Sequence, residues 1–361
     1  MLEYDKKGGF FCDVLLVDLW IVNCQVGDHD VECGEMNGLR ILSDTAFAER
    51  AMDLLRAGVA GHELVFPLKP AASVLAKSEA GPEIETVEVA FGQPDVADVM
   101  RAKNLRWLHL TSAGYTRYDT LEFRAAMRER GVIVTNSSSV YAEACVEHVM
   151  AFLFAQSRLL PQALATRCAN GVTEWNALRE GSQLLVGQRV LIAGYGSIAA
   201  RLVECLVPFR MEVVAMRRTP RGDEPVRVVS LENFDAELAA ADHVINILPD
   251  NPESRGYFHA ARFSSMKPGA VFHNIGRGTT VDQDALADVL ESGHLSAAWL
   301  DVTDPEPLPE GHRLWSAPHC YITPHTAGGH AFEAGSLVRH FLGNLRRFER
   351  GEALIDQIMG E

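Results

Sequence analysis

The stretch Leu185–Ala199 reads L-V-G-Q-R-V-L-I-A-G-Y-G-S-I-A and decides the fold of this chain. Val190–Ala193 is a short apolar run, which is typical of a strand buried on both faces. Gly194 and Gly196 follow directly, and an apolar-rich helix then runs until Pro208 ends it. Strand, glycine turn and helix in this order match the dinucleotide-binding fingerprint, with an alanine at the third glycine position.

Each part of this fingerprint has a physical reason to bind a phosphate. Gly194 permits the tight turn, and Gly196 lets the backbone approach a pyrophosphate. The backbone N–H groups at the start of the helix lack partners within the helix and therefore favour an anion. We predict a nucleotide site that contains Gly194, Gly196, Ser197 and Ile198.

The residues after the second strand of this unit bear on the choice of cofactor. An NAD enzyme needs an acidic residue there to bind the ribose 2′-hydroxyl. This chain instead reads Arg217-Arg218-Thr219-Pro220-Arg221 after the strand candidate at Glu212–Ala215. Since arginine pairs with a 2′-phosphate and a carboxylate repels it, Arg217 and Arg218 favour NADP, with NAD as the alternative.

Length, charge and cysteine pattern limit the classes of protein. A chain of 361 residues is too long for one hydrophobic core, so two domains are expected. The net charge of −15 argues against nucleic acid or a membrane surface as a partner, because polyanions would be repelled. Seven scattered cysteines without a C-x-x-C pair predict packed, reduced thiols in the cytoplasm, with neither a disulfide framework nor a metal site.

Strands and helices alternate on both sides of the fingerprint. The pattern predicts an α/β fold with doubly wound parallel sheets, and a long helix over Val140–Leu160 that ends before Pro161 and connects two domains. Residues 1–35 read poorly, and we expect them to be a misassigned or disordered leader before a natural start at Met36. The strand candidates are Leu39–Leu42, Leu64–Phe66, Val87–Ala90, Leu105–Leu110, Val132–Val134, Val190–Ala193, Glu212–Ala215, His243–Leu248, Ala270–Ile275 and Ser296–Leu300.

Seven motifs occur along the chain in the order in which a known family has them, and they give the chain a resemblance to that family. They are T-S-A-G at Thr111–Gly114, V-T-N-S at Val134–Ser137, G-Y-G-S-I-A at Gly194–Ala199, M-K-P-G-A at Met266–Ala270, N-I-G-R-G at Asn274–Gly278, D-V-x-x-x-E-P at Asp301–Pro307 and T-P-H-x-A-G at Thr323–Gly328. In these the chain resembles the D-isomer-specific 2-hydroxyacid dehydrogenases, in particular glyoxylate and hydroxypyruvate reductases. Ser139, Cys145 and Thr303 depart from the family pattern.

The resemblance implies a particular domain order and assembly. Two Rossmann-like or flavodoxin-like domains are expected, with the dinucleotide-binding domain (residues 139–321) inserted into a discontinuous substrate domain (residues 36–138 and 322–361). The active site would lie in the cleft between them. The family also implies a homodimer formed through the cofactor domains.

Three side chains are the catalytic candidates. Reduction of a ketone needs a proton donor that titrates near neutrality, and the resemblance makes His325 that acid/base. Glu306 matches the family's glutamate, which fixes the histidine tautomer. Arg277 lies between two glycines at a strand end, where its planar fork would bind a substrate carboxylate.

The remaining site residues are also implied by the resemblance. The loop Ser112, Ala113 and Gly114 would give backbone N–H groups to the carboxylate of a small 2-oxo or 2-hydroxy acid. Asp301 would meet the nicotinamide carboxamide, and no metal is expected. The other positions predicted to bind the cofactor are Leu248, Pro249, Ile275, Gly276 and Gly328.

Two other functions stay open at this point. The same scaffold serves relatives that oxidise formate or phosphite, although those need NAD and a different pocket. The family also contains transcriptional corepressors that sense a dinucleotide. Because the corepressors retain Arg277, Glu306 and His325, these residues alone do not separate a sensor from an enzyme, whereas turnover of 2-oxo acids would.

Overall fold

Two mainly parallel sheets organise the residues that this computed structural model describes, which are 38–71, 81–166 and 172–360. The expectation for residues 1–35 lies outside the described residues. The strands are β1 (Arg40–Ser43), β2 (Glu63–Val65), β3 (Val89–Gly92), β4 (Trp107–Leu110), β5 (Ile133–Thr135), β6 (Arg189–Ala193), β7 (Glu212–Met216), β8 (Arg227–Val229), β9 (His243–Asn246), β10 (Val271–Asn274), β11 (Ala297–Leu300), β12 (Cys320–Ile322) and β13 (Gln357–Met359). The helices are α1 (Glu49–Gly58), α2 (Val96–Arg101), α3 (Leu121–Glu129), α4 (Ser138–Ser157), α5 (Leu160–Ala165), α6 (Val172–Gly181), α7 (Ser197–Leu206), α8 (Phe234–Leu238), α9 (Ala260–Ser265), α10 (Gln283–Glu291) and α11 (Glu333–Glu349).

The first sheet has six strands in the order β13-β5-β4-β3-β1-β2. Its five strands from the N-terminal half are parallel and follow the flavodoxin-like order, while β13 adds an antiparallel edge from the C-terminus. Strands β3 and β4 are buried along their whole length, as expected for a sheet covered on both faces. Both ends of the described chain therefore contribute to one sheet.

The second sheet has seven parallel strands in the order β12-β11-β10-β9-β6-β7-β8. This is the Rossmann order, in which the winding reverses between β6 and β9. Ligands of such sheets bind outside the carboxyl ends of the strands at this reversal. The predicted fold class is confirmed, and the domain boundaries given above remain a prediction.

Helix α4 links the two sheets and packs against α7 of the nucleotide-binding unit. Its end differs from the predicted one, because α4 stops at Ser157 and Leu159 turns the chain with a φ of 50°. Pro161 does not end this helix but lies in the first turn of α5, where its missing N–H costs nothing. Among the described residues, no helix is long and apolar enough to cross a membrane.

Candidate active site

The three catalytic candidates follow three neighbouring strands. Arg277 follows β10, Glu306 follows β11 and His325 follows β12, and these strands lie side by side in the seven-stranded sheet. Since the strands are parallel, their carboxyl ends meet at one edge of the sheet. Three side chains that are far apart in the sequence are therefore brought to the same edge of the sheet.

The imidazole of His325 is paired with the carboxylate of Glu306. The distance from Nδ1 to Oε2 is 2.9 Å, and the two side chains are 39% and 40% exposed. A carboxylate only accepts hydrogen bonds, so Nδ1 must carry the proton in this pair. The pair therefore leaves Nε2 as the ring nitrogen available to a substrate.

The turn that carries His325 is built around Asp301, which is 1% exposed. The backbone N–H of His325 donates to the main-chain carbonyl of Asp301 at 2.9 Å. The N–H groups of Thr326 and Ala327 donate to the two carboxylate oxygens of Asp301, each at 2.9 Å. His325 adopts a φ of 53°, a left-handed conformation that is uncommon outside glycine. These three bonds hold that conformation.

A second layer lies behind the Asp301 carboxylate. Thr323 donates its hydroxyl to Oδ1 of Asp301 at 2.5 Å, and Nε2 of His148 lies 3.1 Å from the same hydroxyl oxygen. A threonine hydroxyl has a single hydrogen, so His148 must be the donor in the second bond. His148 belongs to α4, and the linking helix is thus bonded to the turn that carries His325.

The guanidinium of Arg277 lies against the loop that follows β4. Its Nη1 donates to the carbonyl of Gly276 at 2.7 Å, and a Cβ added to Gly114 would lie 2.2 Å from its Nη2. Only glycine allows this approach. The main chain of Gly278 in turn contacts Thr303, since a Cβ on Gly278 would lie 2.0 Å from the Thr303 carbonyl. The loops that carry Arg277 and Glu306 are therefore in contact.

Cys145 is buried close to this constellation. The pKa of its thiol is raised to about 12, mainly by burial and in addition by the negative charge of Asp301, while the positive charge of Arg277 lowers it. The buried thiol therefore interacts electrostatically with both charged groups. The family departure at this position supplies a packed, protonated thiol rather than a nucleophile.

A cleft of about 850 Å³ opens where the winding of the second sheet reverses. Gly194 turns the chain there with a φ of 110°, close to the main chain of Ile247 after β9. At Gly196 a Cβ would meet nothing within 4 Å among the described residues, so the start of α7 faces open space. This glycine cradle and the helix N-terminus fit a pyrophosphate.

Most of the predicted cofactor-binding residues line this cleft, namely Gly194, Gly196, Ser197, Ile198, Arg217, Arg218, Leu248 and Pro249. Among the described residues, the other four predicted positions lie off its lining. Ile275 and Gly276 are buried, and the main chain of Gly276 lies against Leu248, which does line the cleft. Asp301 lies under the His325 turn, and Gly328 packs on the ring of Tyr141.

Arg217 and Arg218 both line the cleft. Arg217 is 24% exposed and lies 3.2 Å from a carboxylate oxygen of Glu224, while the more exposed Arg218 pairs with Glu253 at 2.5 Å. The pKa of Glu224 is lowered to about 2, and the largest cause is the hydrogen bond from the backbone N–H of Arg221, with the N–H of Gly222 and the Arg217 guanidinium lowering it further. The guanidinium groups are thus oriented by carboxylates at the rim of the cleft.

Comparison with known proteins shows which family this chain resembles in sequence. The family model described as D-isomer specific 2-hydroxyacid dehydrogenase, NAD binding domain, matches residues 150–327. The glyoxylate reductase/hydroxypyruvate reductase of Homo sapiens is 31% identical over 234 residues, which are 64% of this chain and 71% of that protein. The glyoxylate/hydroxypyruvate reductase B of Citrobacter koseri is 33% identical over 225 residues, 61% and 68% of the respective chains.

This chain belongs to the D-isomer-specific 2-hydroxyacid dehydrogenase family. The family and the class of enzyme predicted from the sequence are confirmed. A crystal structure of a D-isomer-specific 2-hydroxyacid dehydrogenase from Xanthobacter autotrophicus, in complex with NADPH and MES, is 27% identical with a TM-score of 0.70. The similarity covers 90% of this chain and 98% of that one.

Two departures from the 2-hydroxyacid dehydrogenase pattern have a structural explanation. Ser139 donates its backbone N–H and its hydroxyl to Oδ2 of Asp356, at 2.8 and 2.7 Å, which ties the start of α4 to the C-terminal segment. Thr303 donates its hydroxyl to the carbonyl of Pro305 at 3.1 Å and so closes the loop before Glu306. Neither departure removes a catalytic candidate.

Sequence reasoning missed the polar residues that support the dehydrogenase site. His148 and the Asp301 bonds to the His325 turn were not foreseen, nor was Gln93 beside Ser112. These contacts join residues between 19 and 175 positions apart, so local patterns carry no signal for them. A buried polar residue at the carboxyl end of a strand, such as Gln93 after β3, was the available hint.

Proposed function

We propose that this dehydrogenase reduces a small 2-oxo acid, such as glyoxylate or hydroxypyruvate, to the D-2-hydroxy acid with NADPH. The observation that carries the proposal is the 2.9 Å Glu306–His325 pair beside a half-buried arginine at one sheet edge. Relatives at 31% and 33% identity bear the name of glyoxylate and hydroxypyruvate reductases. The substrate domain and cofactor domain keep the boundaries predicted from the sequence.

The substrate carboxylate binds Arg277 and the backbone N–H groups of Ala113 and Gly114. Among the described residues, these two N–H groups make no hydrogen bond, so they are available to an anion. The guanidinium also polarises the neighbouring carbonyl because its fork presents several N–H donors in one plane. Binding at both ends of the carboxylate fixes the orientation of the 2-oxo group.

His325 gives the proton to the carbonyl oxygen. NADPH, when bound, supplies the hydride to the carbonyl carbon. Glu306 holds the imidazole through Nδ1, so that Nε2 faces the substrate, and its negative charge stabilises the protonated ring. Asp301 acts on the turn rather than on the substrate in this proposal, because it accepts the N–H groups of Thr326 and Ala327. Any contact with the carboxamide uses its remaining lone pairs.

NADP is the cofactor that the chain's own residues favour. Gly194, Gly196 and the first N–H groups of α7 would hold the pyrophosphate, with Ser197 and Ile198 at the helix start. Arg217 and Arg218 line the rim where a 2′-phosphate would lie, and the relative from Xanthobacter autotrophicus was crystallised with NADPH. Leu248 and Pro249, which line the cleft, would flank the adenosine, and Ile275, Gly276 and Gly328 would lie on the nicotinamide side.

A homodimer and a cytoplasmic location complete the proposal. Several large apolar side chains between residues 154 and 207 are exposed, which suits an interface between cofactor domains. They are Phe154, Leu160, Leu164, Trp175, Leu184, Val186 and Val207. Light scattering coupled to size exclusion tests the dimer, and a monomer at micromolar concentration would contradict it.

Steady-state rates test the proposed reaction directly. Glyoxylate, hydroxypyruvate, pyruvate and phenylpyruvate are each assayed with NADPH and with NADH. We expect turnover of at least one of the smaller acids, with NADPH preferred. A protein that binds NADPH but turns over none of them would be a sensor of the corepressor kind, and a preference for NADH would overturn the choice of cofactor.

A further inference from the structure

The loop that follows β4, residues 111–114, is held by its carbonyl groups. Tyr141 donates its hydroxyl to the carbonyl of Thr111 at 2.8 Å, and the backbone N–H of Ser137 donates to that of Ser112 at 3.1 Å. Asn136 donates its side-chain amide to the carbonyl of Ala113 at 2.7 Å. In a trans peptide the N–H points away from the carbonyl. These bonds therefore turn the N–H groups of the loop toward the opposite side.

The last carbonyl of the loop is held differently. The carbonyl of Gly114 accepts a hydrogen bond from the Ser112 hydroxyl at 2.5 Å. This carbonyl belongs to the peptide between Gly114 and Tyr115. The bond stays within the loop, so it holds this peptide only if the hydroxyl itself is oriented from outside. A serine hydroxyl rotates freely and has a single hydrogen to donate.

Gln93 provides that orientation. Its Nε2 donates to the hydroxyl oxygen of Ser112 at 2.7 Å and to that of Thr111 at 3.2 Å. Because the Ser112 oxygen accepts from Gln93, its hydrogen is directed to the Gly114 carbonyl. The amide of Gln93 has no freedom to flip, since its Oε1 accepts from the Arg117 guanidinium at 2.7 Å and only an oxygen accepts.

The position of Gln93 is itself fixed by its backbone. Gln93 is 1% exposed, directly after β3, and its N–H donates to both carboxylate oxygens of Asp44 at 3.0 and 2.8 Å. An amide that is buried and bonded at both ends has little rotational freedom. It can therefore impose its orientation on the half-buried Ser112.

We propose that Gln93 is a positioning residue which, through the Ser112 hydroxyl, fixes the Gly114–Tyr115 peptide, and with it the main chain of Gly114 at the end of the loop that binds the substrate carboxylate. The inference rests on the proposed function, because it takes that loop to be the carboxylate site. Gln93 does not touch the substrate. Its removal should therefore weaken substrate binding while the chemical step and the cofactor site stay intact.

Kinetics of Gln93→Ala and Ser112→Ala test this role. Each variant should raise KM for the 2-oxo acid about tenfold, leave kcat within about threefold and leave KM for NADPH unchanged. The double variant should raise KM no more than either single variant does, because both substitutions remove the same connection. Ser112→Thr, which keeps the hydroxyl, should restore KM to within about threefold of the wild type.

Gln156→Ala is the matched control, since Gln156 accepts a hydrogen bond from the buried side chain of Trp299 at 2.9 Å but lies outside the loop. Its kinetics should be unchanged. If Gln93→Ala fails to fold, Ser112→Ala alone decides, with oxamate binding by calorimetry as the second readout. If the wild type turns over a 2-oxo acid and the folded variants have the same KM as the wild type, the inference is overturned while the proposed function stands. Absence of turnover and of oxamate binding in the wild type would overturn the proposed function and the inference with it.

Discussion

Gly114→Ala should disable substrate binding without harming the fold. The added Cβ would lie 2.2 Å from Nη2 of Arg277 and 3.3 Å from its Cζ. Ordinary contacts begin near 3.4 Å, so the guanidinium has to retreat by more than 1 Å. Only the end of a long side chain must move, and we expect the free energy of unfolding to change by less than about 1 kcal/mol.

The kinetic cost of this displacement is much larger. A hydrogen bond to a charged group contributes about 1.5–3 kcal/mol, which corresponds to a factor of about 10 to 150 in binding. We therefore expect kcat/KM for hydroxypyruvate to fall by that factor, with the Kd for NADPH unchanged. Steady-state rates, fluorescence titration with NADPH and a melting curve measure the three quantities.

Two comparisons make this prediction strict. Gly343→Ala is the matched control, because a Cβ at that position of α11 meets nothing within 4 Å among the described residues. Its kinetics should equal those of the wild type. In an Arg277→Ala background, Gly114→Ala should add nothing, since the group it displaces is already absent. An equal loss in that background, or wild-type kinetics in Gly114→Ala alone, would refute the reasoning.

Three further predictions concern stability, thiol chemistry and cofactor choice. Burial lowers the pKa of His243 to about 4, so the unfolded chain gains a proton first as the pH falls below 6.5. This histidine alone should then lower the free energy of unfolding by about 3 kcal/mol between pH 6.5 and 4, and urea titrations that show a smaller drop in the wild type would contradict this. Burial raises the pKa of Cys145 to about 12, so iodoacetamide at pH 8 should label this thiol in urea but not in the native protein, as mass spectrometry can check. Replacing Arg217 and Arg218 by serine should lower kcat/KM for NADPH at least tenfold and that for NADH less than threefold; equal losses would argue against their role.

The sequence was sufficient for elements that rest on buried apolar runs. Val190–Ala193 predicted β6 because a strand covered on both faces is apolar at every position. The same logic misplaced β3, which runs Val89–Gly92 rather than Val87–Ala90. Val87 is fully buried but precedes the strand, so burial alone does not mark the hydrogen-bonded residues. Strand β13 was missed because three residues on an antiparallel edge show no periodicity.

The candidate site likewise contains residues that the sequence could identify and supporting contacts that it could not. Arg277, Glu306 and His325 could be named from sequence because each lies in a family motif, and the structure shows that they follow three neighbouring parallel strands that end at one edge. The supporting contacts of Gln93 and His148 could not be placed, because they depend on side-chain directions across the fold. The family motifs therefore supplied the catalytic candidates, and only the tertiary structure shows what holds them.

The rate of His325→Gln tests the central claim most directly. General acid catalysis contributes about 10²- to 10⁴-fold, so kcat for the preferred 2-oxo acid with NADPH should fall by about that factor. The Kd for NADPH should stay within twofold of the wild-type value, because His325 lies beyond β12 and not in the glycine cradle. A variant that retains more than a tenth of the wild-type kcat would contradict the account.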